Sequence, residues 1–201
     1  MVKKKEKKIN RKTFFKASNS FVKEGIFNFI EAYNPAFMKK IIKGNKIPTK
    51  NLYPPGAIKE PLYSKKCTAC NLCVEACPYG SIKLLENNDG KMIAMINPYQ
   101  TPCYLCADIS CSKSCPEGAL LPLEDRMDIK IGFAAPTFHC RNQKEKDRVC
   151  TICQDVCPFM GDCIKFNIAN IPMIKKNVCN GCGICANNCP ELGKGLIIFP
   201  R

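Results

Sequence analysis

Cys67-Thr68-Ala69-Cys70-Asn71-Leu72-Cys73-Val74-Glu75-Ala76-Cys77-Pro78 decides how the rest of the chain is read. Three thiols at intervals of three residues line one tight loop. The fourth, fixed by the proline after it, points away from them. The same spacing returns at Cys179, Cys182, Cys185 and Cys189-Pro190. Between these lie two looser copies: Cys103, Cys106, Cys111 and Cys115-Pro116, expanded by two residues, and Cys150, Cys153 and Cys157-Pro158, one thiol short. The chain is therefore a fourfold repeat of a cysteine loop ending in Cys-Pro. Cys140, ten positions upstream, or Cys163, six positions downstream, completes the third group. Cys140 is preferred because it precedes the loop as a first ligand does, with the charged insertion Arg141 to Arg148 looped out. Cys163 then reads as a buried free thiol in the place that Ser81 and Ala119 take in other repeats.

Seventeen cysteines in 201 residues point to metal rather than disulfides, because disulfide frameworks belong to short secreted chains with even counts. Without its cysteines the chain is lean in apolar residues for its length, so its core needs another source of cohesion. Structural zinc uses two Cys or His pairs a dozen or more residues apart. Here the pairs are triplets and quadruplets and His139 is the only histidine, which leaves zinc open for the third group alone. C-x2-C-x2-C-x3-C-P is the bacterial ferredoxin run, whose fourth cysteine ligates the other cluster of a pair. The spacing thus predicts four 4Fe-4S clusters on sixteen ligands: the fifteen cysteines of the four groups together with Cys140. His139 reads as an ordinary, partly exposed histidine, and Tyr79 and Tyr104 as packing around the clusters.

Each Cys-Pro precedes a short β-type run: Ser81 to Leu85, Ala119 to Leu123, Cys163 to Ile168 and Leu196 to Phe199. Asn87-Asn88-Asp89-Gly90 marks a hairpin turn into Lys91 to Ile96, and Asp128 to Phe133 alternates as another strand does. Short helices are expected over the spacers Val74 to Ala76 and Ala186 to Asn188. Gly181 and Gly183 flank Cys182 where a positive φ lets backbone N–H groups approach sulfur. The fold class is α+β, two ferredoxin-like dicluster units with clusters as much of the core. No catalytic residues are expected: the chain has no nucleotide-binding glycine loop, no H-E-x-x-H and no paired catalytic histidines.

These features resemble the NapG/MauM ferredoxin-type proteins, electron carriers of periplasmic nitrate reduction and methylamine oxidation. The likeness runs from about Tyr53 to Phe199. Its specific parts are Pro54-Pro55-Gly56-Ala57 with Glu60, the stretch Thr101 to Cys106 running on through Cys111 to Leu120, and the irregular third group. The resemblance implies four 4Fe-4S clusters and no substrate site. It implies electron relay from a membrane-bound polyferredoxin or quinol dehydrogenase to a terminal reductase or other oxidoreductase. By the pattern of related four-cluster subunits, it also implies that the first group shares clusters with the fourth and the second with the third. Cys189 would then join Cys67, Cys70 and Cys73, and Cys77 would join Cys179, Cys182 and Cys185.

The formal charge of +14 is unevenly placed. Residues 1–66 hold seventeen Lys and Arg against four acids, a balance of +13, and no cysteine. Residues 1–38 form a basic leader, 39–66 a proline-containing linker and 67–201 the four-cluster domain. Within the leader, Asn10 to Lys16 looks like a twin-arginine export signal with Lys12 in place of the second arginine, yet Ala17 to Tyr33 is interrupted by Lys23, Glu24, Asn28 and Glu31. The protein lies on the periplasmic side of a membrane if that motif functions and in the cytoplasm otherwise. Phe14, Val22, Ile26, Phe29, Ile30 and Tyr33 recur as on an amphipathic helix, which with Lys3 to Lys8 suits an anionic membrane surface or membrane partner, although such a lysine run is also what a solvated tail looks like. Nucleic acid is a poor fit, since no Tyr or Trp interleaves the first lysines. Maturation of a partner reductase is the alternative function. No run reaches the ~18 apolar residues of a membrane span.

Overall fold

The structure, a computed structural model, describes residues 52–144 and 149–200. The chain divides into Met1–Pro48 and Thr49–Arg201. The export-like motif and the amphipathic pattern lie outside the described residues, as do the last positions of the charged insertion.

One-turn helices and two-stranded sheets make up the described part of Thr49–Arg201. The helices are α1 (Leu62–Lys66), α2 (Leu72–Glu75), α3 (Ser110–Lys113), α4 (Arg141–Lys144), α5 (Ile152–Asp155), α6 (Met160–Cys163) and α7 (Ile184–Asn187), with a 3₁₀ turn at Arg126–Asp128. A helix of four or five residues cannot sustain itself in water. These stand because the cysteine loops hold them: α2, α3 and α7 each carry the third cysteine of a group and start from left-handed residues, Asn71, Ile109 and Gly183, that turn the chain sharply within the loop.

The strands are β1 (Ile82–Glu86), β2 (Met92–Ile96), β3 (Gly132–Pro136), β4 (Ile164–Phe166), β5 (Pro172–Ile174) and β6 (Leu196–Pro200). They pair antiparallel as β1 with β2, β4 with β5, and β3 with β6. The first two are hairpins closed by the same device. Asn87 Oδ1 accepts from the N–H groups of Asp89 and Lys91, and Asn167 Oδ1 accepts from Ala169 and Ile171. An asparagine side chain thus replaces a backbone turn twice. β3 and β6 join distant segments, Gly132 facing Pro200 and Pro136 facing Leu196.

Three elements differ from the sequence expectation. Ala119 to Leu123 is not a strand but a single bridge, Leu120 to Ala57, since Pro122 has no N–H to extend the ladder. Asp128 to Phe133 becomes strand only from Gly132, because the Asp125 carboxylate accepts from Met127 N–H and tightens the preceding residues into the 3₁₀ turn. β5, unforeseen, opens on Pro172, whose missing donor is tolerated at the first position of a strand.

From Leu52 the chain is built into the body. Leu52 bridges Ile96, Ile58 N–H donates to Ala119 O, and Leu121 N–H donates to Gly56 O. Tyr63 of α1 is fully buried and its hydroxyl donates to Ala94 O at 2.6 Å. Glu60 accepts from the hydroxyls of Tyr53 and Ser64. The core joins Ile82, Ile93, Ile129, Ile164 and Ile198 to ten of the cysteines.

Candidate metal centres

Sixteen cysteines gather into four sets, each made of three thiols from one group and the Cys-Pro thiol of its neighbour in sequence. Cys67, Cys70, Cys73 and Cys115 line a cavity with Tyr63 and Ala94. Cys77, Cys103, Cys106 and Cys111 line a second with Ile82 and Ile96. Cys157, Cys179, Cys182 and Cys185 line a third with Ala134 and Ile198. Cys140, Cys150 and Cys189 surround Cys153 closely enough for their charges to raise its thiol, after burial, to about 12. We call these sets A, B, C and D.

The first group therefore crosses with the second and the third with the fourth. This corrects the pairing implied by resemblance: Cys189 is with Cys140, Cys150 and Cys153, not with Cys67, and Cys77 is with Cys103, not with Cys179. The physical reason is proximity along the chain, since the β1–β2 hairpin brings the first loop back to the second and the β4–β5 hairpin brings the third back to the fourth.

The loops owe their shape to repeated backbone choices. After the first cysteine of groups one, two and four, the second spacer residue is left-handed: Ala69, Leu105 and Gly181. Two positions after the proline of each of the first three Cys-Pro pairs, Gly80, Gly118 and Met160 are left-handed as well. Glycine is thus needed at neither kind of position, and Ala69, Leu105 and Met160 take it at a cost of roughly 1–2 kcal/mol each. Backbone N–H groups meet the sulfurs. Ser81 N–H, just after Gly80, reaches Cys77 Sγ at 3.3 Å, and from β3 Ala134 N–H reaches Cys179 Sγ at 3.4 Å. The N–H groups of Leu105 and Ile184 do the same for Cys103 and Cys182.

Burial sets the electrostatics. It pushes Cys103, Cys111 and Cys182 up to about 12, with neighbouring thiols adding to it. Such thiols stay neutral until a metal withdraws their protons. Cys157 is the exception, held below the ordinary thiol range first by a hydrogen bond from Cys163. Cys163, 1% exposed, lines cavity C beside Cys157 and Cys179 and is pushed far up by its bonds to both.

The third group's gap is closed by Asn142, which sequence reasoning missed. Its Nδ2 donates to Cys150 O at 2.9 Å and Asn170 O at 2.6 Å, and its Oδ1 accepts from Cys150 N–H at 2.7 Å. Cys150 is thereby held to the helical turn that follows Cys140. His139 is half-buried and rests on the Phe138 ring, centroids 4.0 Å apart. Tyr79 and Tyr104 lie ring against ring, 4.6 Å between centroids, at the edge of cavity B.

The residues fit a cubane better than an ion. Among the described residues no three Cys, His, Asp or Glu side chains converge as a single metal ion requires. In sets A and B four thiols stand round an apolar space instead, in set C four with Cys163 beside them, and amide donors are directed at the sulfurs of Cys77, Cys103, Cys179 and Cys182. Asn180 adds an orphan: 2% exposed and lining cavity C, its Nδ2 has no hydrogen-bond partner among the described residues. A donor so placed suits a sulfur-rich guest. At Gly195 a Cβ would stand 2.7 Å from Cys189 Sγ, so the backbone there is shaped around that thiol.

Comparison with known proteins agrees. A family described as "4Fe-4S dicluster domain" matches residues 66–119, which span the first two groups, and one described as "4Fe-4S binding domain" matches residues 176–192. The methylamine utilization ferredoxin-type protein MauM of Paracoccus denitrificans is 34% identical over 167 residues, 77% of this chain and 74% of that one. The ferredoxin-type protein NapG of Escherichia coli is 31% identical over 164 residues, 74% of this chain and 70% of that one. No solved structure matches. Cysteine spacing, cavity lining and these relatives together make the chain a member of the MauM/NapG family of ferredoxin-type 4Fe-4S proteins.

Proposed function

We propose that this protein carries four 4Fe-4S clusters, one in each of sets A to D, and relays single electrons between a membrane, quinol-linked donor and a terminal oxidoreductase. The observation that carries the reading is the reciprocal exchange of Cys-Pro thiols, which supports two dicluster units, A with B and C with D. Bound at these sites, each cubane takes up and gives back one electron.

The chain's own residues set the order of relay. Cys77 and Cys115 tie set A to set B, and Cys157 and Cys189 tie set C to set D. Between the units, Cys103 N–H donates to Cys182 O at 2.9 Å, so a residue of set B abuts a residue of set C. The sets therefore follow one another as A, B, C, D. Cys70 of set A is exposed, whereas the four thiols of set C are buried. Exchange with partners belongs to the outer sets, and the inner ones are shielded by apolar side chains and the Tyr79–Tyr104 pair. The basic leader, with its balance of +13, supplies the attraction to an anionic membrane surface or membrane partner.

Anaerobically reconstituted full-length protein, mixed with membranes containing the quinol-oxidising donor, tests this. Bleaching of the cluster absorbance on adding quinol, and its recovery on adding the terminal oxidoreductase, is expected. Iron-loaded protein that neither accepts electrons from those membranes nor passes them on overturns it.

A further inference from the structure

Set C differs from its counterparts in the side chains around it. In the first unit the Tyr63 hydroxyl, which also lies within hydrogen-bond reach of Cys67, donates to Ala94 O beside set A, and the Ser81 hydroxyl, beside set B, donates to Pro102 O. Cys163 stands where Ser81 does, immediately before the strand that follows Cys-Pro, but its side chain is buried and lines cavity C beside Cys157 and Cys179. Asn180 follows the first cysteine of its loop as Thr68 and Tyr104 follow theirs. Those two are exposed and Asn180 is buried. Its Oδ1 accepts from Cys182 N–H at 3.1 Å, which identifies the oxygen and leaves the Nδ2 donors at the cavity wall with no partner among the described residues.

We propose that Cys163 and Asn180, neither of them an iron ligand, are hydrogen-bond donors to the sulfur atoms at set C and raise the reduction potential of the cluster held by Cys157, Cys179, Cys182 and Cys185. The inference rests on the four-cluster reading. A donor draws electron density from sulfur, favouring the more negative, reduced state and so the higher potential. With both residues buried, water cannot replace the lost donor when either is removed.

The test is an EPR-monitored redox titration of reconstituted full-length protein, wild type against Cys163→Ala, Cys163→Ser and Asn180→Ala. The set C signal is identified as the one lost in Cys157→Ala. Each alanine variant is expected to keep the wild-type iron content and to move the set C midpoint to more negative potential, leaving the other three in place. Cys163→Ser, which keeps a donor, should stay nearer to wild type than Cys163→Ala and guards against a variant that fails to fold. An exchangeable proton coupled to that signal, lost in Cys163→Ala, is the accompanying spectroscopic signature. An unmoved midpoint in loaded Cys163→Ala and Asn180→Ala overturns the proposal, as does loss of the set C signal in Cys163→Ser, which would make Cys163 a ligand. A wild type lacking four clusters would instead refute the underlying reading.

Discussion

Replacing Asn142 by alanine should release iron from set D and from nowhere else. The side chain is 7% exposed and makes three hydrogen bonds, two to the backbone of Cys150 and one to Asn170 O. At about 0.5–1.5 kcal/mol net for each bond, their loss totals roughly 1.5–4.5 kcal/mol. Because the bonds join Cys150 to the turn after Cys140, that energy acts on the closing of one loop. At about 1.4 kcal/mol per factor of ten, opening becomes roughly ten- to a thousand-fold more frequent. Transfer of iron to a chelator, followed anaerobically, reads this directly. About a quarter of the iron should leave the variant faster by that factor, and the remainder at the wild-type rate. Uniform acceleration across all the iron, or none, would refute the reasoning.

Cys115→Ala should open Cys67, Cys70 and Cys73 to alkylation while Cys179, Cys182 and Cys185 stay protected; labelling of Cys67, Cys70 and Cys73 in Cys189→Ala instead would restore the first-with-fourth pairing. Gly181→Ala and Gly80→Ala share the left-handed penalty, but a Cβ at Gly181 would lie 2.4 Å from Gly132 backbone while Gly80 has nothing within 4 Å. The extra overpacking of about 1–3 kcal/mol should lower the melting temperature of Gly181→Ala below that of Gly80→Ala by roughly 2–12 °C, and equal melting would show that the loop yields. Tyr63→Phe leaves Ala94 O without its buried donor and should cost about 1–3 kcal/mol in thermal or denaturant unfolding; a change below a few tenths would mean that water reaches the carbonyl.

The cysteine loops were legible because metal chemistry dictates both residue type and spacing. The strands after three of the four Cys-Pro pairs and the Asn87 to Gly90 turn were legible because short apolar runs bounded by turn residues say so locally. What escaped was long-range or borne by single side chains. Nothing in the spacing of Cys77 or Cys115 says which neighbouring loop it enters; the hairpins between loops decide that. Asn142 carries no motif, and its importance depends on a loop that closes in space. The preference for left-handed backbone at Ala69 and Leu105 was hidden because glycine, its usual marker, is present only at the equivalent Gly181. The choice of Cys140 over Cys163 followed from order along the chain, and the structure sets Cys140 among Cys150, Cys153 and Cys189 and Cys163 beside Cys157 and Cys179.

The charge distribution also takes a different meaning once the sets are loaded. Four cubanes with their thiolates add about −8, which makes the cysteine-bearing part of the chain acidic while residues 1–66 remain at +13. Association with an anionic surface should then depend on the leader and weaken as salt is raised.

Metal and acid-labile sulfide analysis of anaerobically reconstituted full-length protein tests the central claim most directly. Four clusters require about sixteen iron and sixteen sulfide per chain, and that content, with no zinc, is the expected result. Eight iron or fewer after full reconstitution, or zinc in place of iron, would contradict it.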